Sequence, residues 1–258
     1  MSGKPFFIIS DLHLGAVPET TERAFLDFLA YTQRNASGLL INGDLFDVWV
    51  EYRSVVPRRY VRVLYRLTEV VEGGLPVFFV GGNHDAVEWA GDVLSKDVGL
   101  TLLQDPVTMD LAGRRTLIVH GDAVGPGDLG YRILRRTLRS RAVIAAARTL
   151  HPDWLDRITR ASSKTKNKVA QTAPAAGGLK HSGPRIEAWA RDQLLTDQSL
   201  DLVVAGHAHQ PAKVEVTPGR YYVNSGDWIH HWTYVSLSVE GGPPRVLRWP
   251  TQEELFPT

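Results

Sequence analysis

One arrangement constrains this chain more than any other: a short, nearly continuous apolar run followed at once by Asp, Asn or His, repeated five times. Phe6–Ile9 runs into Asp11-Leu12-His13, and Leu39–Ile41 into Asn42-Gly43-Asp44-Leu45-Phe46-Asp47. Val77–Val80 leads to Gly82-Asn83-His84-Asp85, Thr116–Val119 to His120-Gly121-Asp122, and Leu202–Val204 to Gly206-His207-Ala208-His209. Runs of this length without polar alternation read as strands buried on both faces. In open α/β sheets, ligands bind in the loops at the carboxyl ends of such strands. The five polar clusters are therefore expected to converge on one crevice.

Each piece alone is ordinary. Asp-x-His and Gly-Asp are common turns, and His207-x-His209 alone reads as a core histidine beside an exposed one. Together, in this order, they gather five of the nine histidines into a set of imidazoles, carboxylates and an amide oxygen. That donor set suits divalent Mn, Fe, Co or Zn. The chain has no cysteine, which excludes disulfides, iron–sulfur clusters, thiolate zinc sites and a cysteine nucleophile.

The segments between the strands carry helical spacing. Glu22–Gln33 places Phe25, Phe28 and Leu29 on one face after a Thr20/Thr21 capping candidate, and Pro57–Glu72 repeats Val61, Leu64 and Leu67 before Gly73-Gly74. A third helix is expected over 131–150, a second basic piece over Arg157–Lys168, a loop over 173–183 and a returning helix over Pro184–Thr196. The last sixty residues read as antiparallel strands turning at Pro218-Gly219 and Gly241–Pro244. At 258 residues, with 43% hydrophobic and 22% charged residues, the expectation is a single domain over 1–258 with a basic helical insertion over about 129–185.

Net charge is +1, but it is unevenly spread. Residues 129–185 hold thirteen Lys and Arg against only Asp153 and Asp156, so the rest of the chain is acidic. Such a lobe is either a solvated helical face or a surface for an anionic partner. Its arginines lack the interleaved aromatic platform of a single-strand binder, so nucleic acid is not expected as a partner. Phe6–Ile9 is too short for a signal-peptide core and no window approaches a membrane span. The expectation is a cytoplasmic protein, with any contact to the cytoplasmic face of the inner membrane peripheral.

These motifs resemble the signature of the calcineurin-like metallophosphoesterases: D-x-H, G-D-x-x-D, G-N-H-D, H and G-H-x-H. The resemblance implies a four-layer αββα α/β fold and a site for two divalent metal ions, most simply Mn2+. By it, Asp11, His13 and His209 would hold one ion, Asn83, His120 and His207 the other, and Asp44 would bridge them. His84 would be the catalytic acid or base, and Asn83, His84 and His207 would also face the substrate. Asp47, Asp85 and Asp122 would either orient ligand imidazoles or cap loops.

The basic lobe is similar to the cap of UDP-2,3-diacylglucosamine pyrophosphohydrolases of the lipid A pathway. The similarity rests on Asp128-Leu129-Gly130-Tyr131-Arg132, Arg157-Ile158 and Arg160-Ala161-Ser162-Ser163-Lys164, with Asp44-Leu45-Phe46 and Trp49 in the core. It implies an acylated nucleotide-sugar substrate contacted by Asp128, Tyr131, Ser163, Asn167 and Lys168. Tyr131, Leu134 and Leu138 would form an apolar face, serving acyl chains or packing on the core. The chain departs from that pattern in places: the best-known members carry Arg where this chain has His84, and the loop 173–183 and the segment Asn224-Ser225-Gly226-Asp227-Trp228 also differ. The alternative is a metal-dependent phosphodiesterase acting on nucleotides or phospholipid head groups.

Overall fold

The computed structural model describes residues 3–125, 129–163, 165, 169 and 182–257. β1 (Phe6–Ile9) is buried throughout, and its alternating side chains serve two different layers. Phe7 and Ile9 pack against helices, whereas Phe6 and Ile8 point into a second cluster. The same division holds in β2 (Gly38–Asn42), with Leu39 and Ile41 against Leu40, and in β3 (Val77–Val80), with Val77 and Phe79 against Val80. A period of two with both sets apolar demands cover on both faces.

Cover on one face comes from α1 (Glu19–Asn35) and α2 (Val61–Glu72), which contribute Phe25, Phe28, Leu29, Val63 and Leu67. On the other face lies a second sheet. Its strand β7 (Leu202–Ala205) sends Leu202 and Val204 into the space between the sheets and Val203 and Ala205 to the opposite side. There Ile186, Ala190 and Leu194 of the helix at Ser182–Thr196 close the fourth layer. The architecture is α/β, ordered helix, sheet, sheet, helix.

The first sheet runs β11-β10-β1-β2-β3-β4, with β4 at Thr101–Leu103, β10 at Thr233–Leu237 and β11 at Arg245–Arg248. Strands β1 to β4 are parallel, while β10 and β11 join antiparallel. The second sheet runs β5-β6-β7-β9-β8, from β5 (Val107–Leu111), β6 (Arg114–Ile118), β8 (Pro211–Thr217) and β9 (Arg220–Ser225). Register sets the site: Ile9 pairs with Ile41, Asn42 with Val80, and Ile118 with Val204. The polar residues that follow these strands therefore leave the sheets at one common edge.

Several expectations change. α1 begins at Glu19, behind an extended Pro18 with no side-chain cap, so Thr20 and Thr21 lie in the first turn instead of capping it. The single helix over 131–150 is two: α3 (Leu129–Leu138) and α4 (Arg141–Ala147). Ser140 breaks them, its Oγ accepting from the Val143 amide at 3.4 Å as an N-cap. Of the second basic piece, Arg157–Ser162 belongs to α5 (Pro152–Ser162), with Pro152 in its first turn, and residues 164 and 166–168 lie outside the described ones. The helix at Ser182–Thr196, α6, takes in the end of the expected loop, whose residues 173–181 lie outside the described ones. The C-terminal hairpins form as read, but β9 also pairs in parallel with β7, so that region is not purely antiparallel.

Of the two roles left open for the apolar face of α3, packing on the core does not hold for its leucines. Leu134 and Leu138 are 52% and 47% exposed, and neighbouring Ile133 is 59% exposed. Two of its arginines turn inward while Arg132 and Arg136 stay exposed: Arg135 reaches Asp105 at 2.6 Å and Asp122 at 3.0 Å, and Arg139 donates to the Gly82 carbonyl at 2.8 Å. Among the described residues no helix is long and apolar enough to cross a membrane.

Candidate functional site

The five loops meet. Asp11, His13, Asp44 and His120 are fully buried or nearly so, and His209 is 8% exposed. Donor atoms of Asp11, His13 and His209 lie within 4.8 Å of one another, and so do those of Asp44, His120 and His207. The Asp44 carboxylate sits between the groups, its Oδ2 3.6 Å from His13 Nε2 and 3.5 Å from His120 Nε2. Asn83 Oδ1 is 3.0 Å from His207 Nδ1 and 3.3 Å from His120 Nε2.

The backbone that brings them together is strained. Asp11, His13, Asp44, His207 and His209 all have φ between 49° and 61°. For residues other than glycine this left-handed region costs about 1 kcal/mol or more each, so the surrounding contacts must over-determine it. They do. The Asp85 carboxylate accepts from the amides of Asp44 and Gly82 at 2.9 Å and of Phe46 at 3.0 Å, tying two loops together. Burial, helped by the nearby Asp44 carboxylate, raises its pKa to about 6. Asp11 Oδ2 accepts from the His207 amide at 2.9 Å and joins the two sheets. A Cβ on Gly43 would strike the His120 ring and one on Gly82 the Asp44 carboxylate, so both positions need glycine for these side chains to close in.

Ring orientation is set from behind. His120 Nδ1 donates to the Asn42 carbonyl at 3.0 Å, which leaves Nε2 on the Asp44 side. His209 Nδ1 lies 3.3 Å from Asp227 Oδ2, with Nε2 3.6 Å from Asp11 Oδ1. Asp227 also accepts from the amides of His230 and His231 and from His231 Nδ1, each at 3.0 Å. Burial opposes its charge, but His209 and His231 hold its carboxyl far below the usual range. Carboxylate-to-imidazole support of this kind is what metal-ligating histidines usually have. Sequence reasoning missed Asp227, and its only signal was the polar run Asn224-Ser225-Gly226-Asp227 after an apolar strand.

The three carboxylates left open by the sequence now separate. Asp85 caps loops. Asp47 Oδ1 is 3.7 Å from His84 Nδ1 and 3.9 Å from His13 Nδ1, the nearest of the three to an imidazole of the first group. Asp122 instead accepts from Tyr131 Oη at 2.7 Å and forms an ion pair with Arg135 Nε at 3.0 Å. His84 donates from Nδ1 to the Asp47 carbonyl at 2.7 Å. It also falls into a third group with His13 and Asp44, so its position suits ligation as well as proton transfer. Ser163 Oγ donates to Asp47 Oδ1 at 2.8 Å. Asp128, Asn167 and Lys168 lie outside the described residues.

Divalent ions fit this donor set. Asp11 Oδ1 is buried and accepts no hydrogen bond. Separations of 3.5–3.6 Å between imidazole nitrogens and carboxylate oxygens are too long for hydrogen bonds. They are near the spacing of two atoms bound about 2.1 Å from a shared ion. Burial opposes charge on Asp44, but the imidazoles of His120, His84 and His13 hold its pKa well below the usual range. Asp44 in turn raises His120 despite burial. Burial and the neighbouring His120 lower His207 to about 3, which keeps it a neutral donor. An anionic, imidazole-rich pocket that satisfies itself with a proton is one that a cation can occupy in the proton's place.

The chain is similar to known proteins over most of its length. The profile of the family described as calcineurin-like phosphoesterase matches residues 4–211. A UDP-2,3-diacylglucosamine hydrolase from Porphyromonas gingivalis is 29% identical over 96% of this chain and 97% of its own. One from Pseudomonas fluorescens is 32% identical over 91% of this chain and 92% of its own. Among solved structures, Yfce, a phosphoesterase from E. coli, aligns over 98% of this chain and 97% of that one, at 18% identity and a TM-score of 0.49.

Proposed function

The chain belongs to the calcineurin-like phosphoesterase family and is a metal-dependent hydrolase of phosphoric esters. From that premise we propose that it splits the pyrophosphate of UDP-2,3-diacylglucosamine, or a similar lipid-linked nucleotide, into UMP and an acylated sugar 1-phosphate. The reading is supported by relatives of that name matched over more than nine-tenths of both chains. The observation that carries the chemistry is Asp44, one carboxylate within 3.6 Å of imidazoles in two separate donor groups.

Asp11, His13 and His209 would hold one divalent ion, and Asn83, His120 and His207 a second, with Asp44 shared. Manganese suits the mixed nitrogen and oxygen donors. When bound, such a pair supplies Lewis acidity, a water of lowered pKa and a clamp on both oxygens of an in-line phosphoryl displacement. The chain's own groups do the rest. His84, fixed through Nδ1 on the Asp47 carbonyl, keeps Nε2 for a proton given to the leaving oxygen. His207, neutral at working pH, and the Asn83 amide meet the equatorial oxygens as charge develops. Tyr131 and Ser163 would exchange their hydrogen bonds to Asp122 and Asp47 for contacts with the sugar. An inverted helix α3, with Ile133, Leu134 and Leu138 exposed, suits a peripheral position beside a membrane that supplies the lipid.

One observation favours the second reading, a phosphodiesterase of nucleotides or phospholipid head groups: His84 stands where the best-known lipid A enzymes carry Arg. Purified protein with Mn2+ is offered UDP-2,3-diacylglucosamine and an aryl phosphodiester, with products followed by mass spectrometry. Release of UMP from the first supports the proposal. Turnover of the second with none of the first overturns it.

A further inference from the structure

The arginines of α3 recur at 132, 135, 136 and 139, one helical face, and together with Glu88 and Asp105 they line a cleft of about 600 Å³. The cleft adjoins the half of the site built from Asn83 and His120. Asp105 Oδ1 accepts from the His120 amide at 3.3 Å, and Arg139 holds the Gly82 carbonyl, one residue before Asn83. Two of the four cations are engaged with acids in or beside the cleft: Arg135 with Asp105 of its lining and with Asp122, and Arg139, more loosely, with Glu88 at 3.8 Å. The other two are not. Arg132 donates to the Gly125 carbonyl at 2.7 Å, which cancels no charge, and Arg136 has no carboxylate partner among the described residues.

We propose that this cleft takes the nucleotide half of the substrate, with Arg132 and Arg136 as the residues that select it. This rests on the reading above for the identity of the anion. A volume of about 600 Å³ lies within the range of small-molecule sites. Guanidinium groups serve a nucleotide doubly, as forked donors to phosphate and as flat faces on which a base stacks. A lipid head group is the weaker occupant. Arginines that bind a membrane surface flank the side chains entering the bilayer, whereas here the cleft lies across the helix from the exposed Ile133 and Leu134.

The test is binding of UMP and of inorganic phosphate to the metal-loaded enzyme by calorimetry. Arg132→Ala/Arg136→Ala is expected to weaken UMP at least tenfold and inorganic phosphate much less, and Arg132→Lys/Arg136→Lys to recover part of the loss. Arg141→Ala/Arg148→Ala removes the same charge from outside the cleft and is expected to keep UMP affinity. In turnover, the ratio of kcat/KM for the nucleotide-lipid to that for the aryl phosphodiester is expected to fall tenfold in the cleft variant. Unchanged UMP affinity overturns the proposal. So does equal loss for UMP and phosphate, or equal loss in the control pair. If wild type fails to cleave the nucleotide-lipid, the proposed function falls, while the UMP measurement still decides the cleft.

Discussion

Asp11, His13, Asp44, His207 and His209 share a backbone conformation that side chains ordinarily avoid. The strain aims each donor back across the end of its strand, where a relaxed turn would send it outward. His84 differs in being tied by its ring to a carbonyl, and it is 20% exposed, so it can reach a ligand. His84→Ala is expected to slow aryl phosphodiester turnover by roughly 10²–10⁴-fold with metal content, read by elemental analysis, retained. Loss of metal along with activity would instead make it a ligand. Asp227 acts through His209. Asp227→Ala should weaken metal binding by about 10–100-fold in a competition titration with a chelator, while Asp227→Asn, which still accepts from the ring, should lose less.

At the scale of elements, the loops matter more than the strands they follow. Gly82→Ala would push a methyl into the Asp44 carboxylate. It should cost metal occupancy with only a modest loss of melting temperature, because the strands beneath keep their packing. A variant that binds metal normally would show that the loop yields. The strands were legible because an apolar run that ends in Asp or His is two signals in one. Strands β4 and β5 were not, since three residues at 101–103 and an alternately exposed 107–111 resemble any loop. Ser140 was invisible as a break because the apolar and basic pattern continues through it. Periodicity also showed α3 to be amphipathic without telling which side faces the protein. That is decided by Asp105, Asp122 and Glu88, acids distant in sequence that attract its arginines. Asp227 escaped for a related reason: it touches His209 across 18 positions, and no local spacing encodes that contact.

At the scale of the molecule, the group of Asp11, His13 and His209 and the group of Asp44, His120 and His207 each draw on both sheets. Asp11 and His13 follow β1 and Asp44 follows β2 of one sheet, whereas His120 and His207 follow β6 and β7 of the other, and His209 precedes β8. The layers between are held by side chains such as Ile8, Leu40, Ile118 and Val204, all buried. Leu40→Ala is expected to cost about 2–5 kcal/mol in denaturant melts and to loosen metal binding as well, although Leu40 touches no donor. Chelation should act in the opposite direction. Ions present at a hundredfold over their dissociation constant add about 2.7 kcal/mol per site, so stripping both with a chelator should lower the melting temperature by roughly 10–20 °C for a chain of this size. No shift would mean that the ions do not bridge the sheets. It follows that a chain with one layer still undocked owns only half of each cage and has nowhere to keep a cation. Uptake of manganese after dilution from denaturant would then serve as a clock, striking when the two halves of the molecule have finally met.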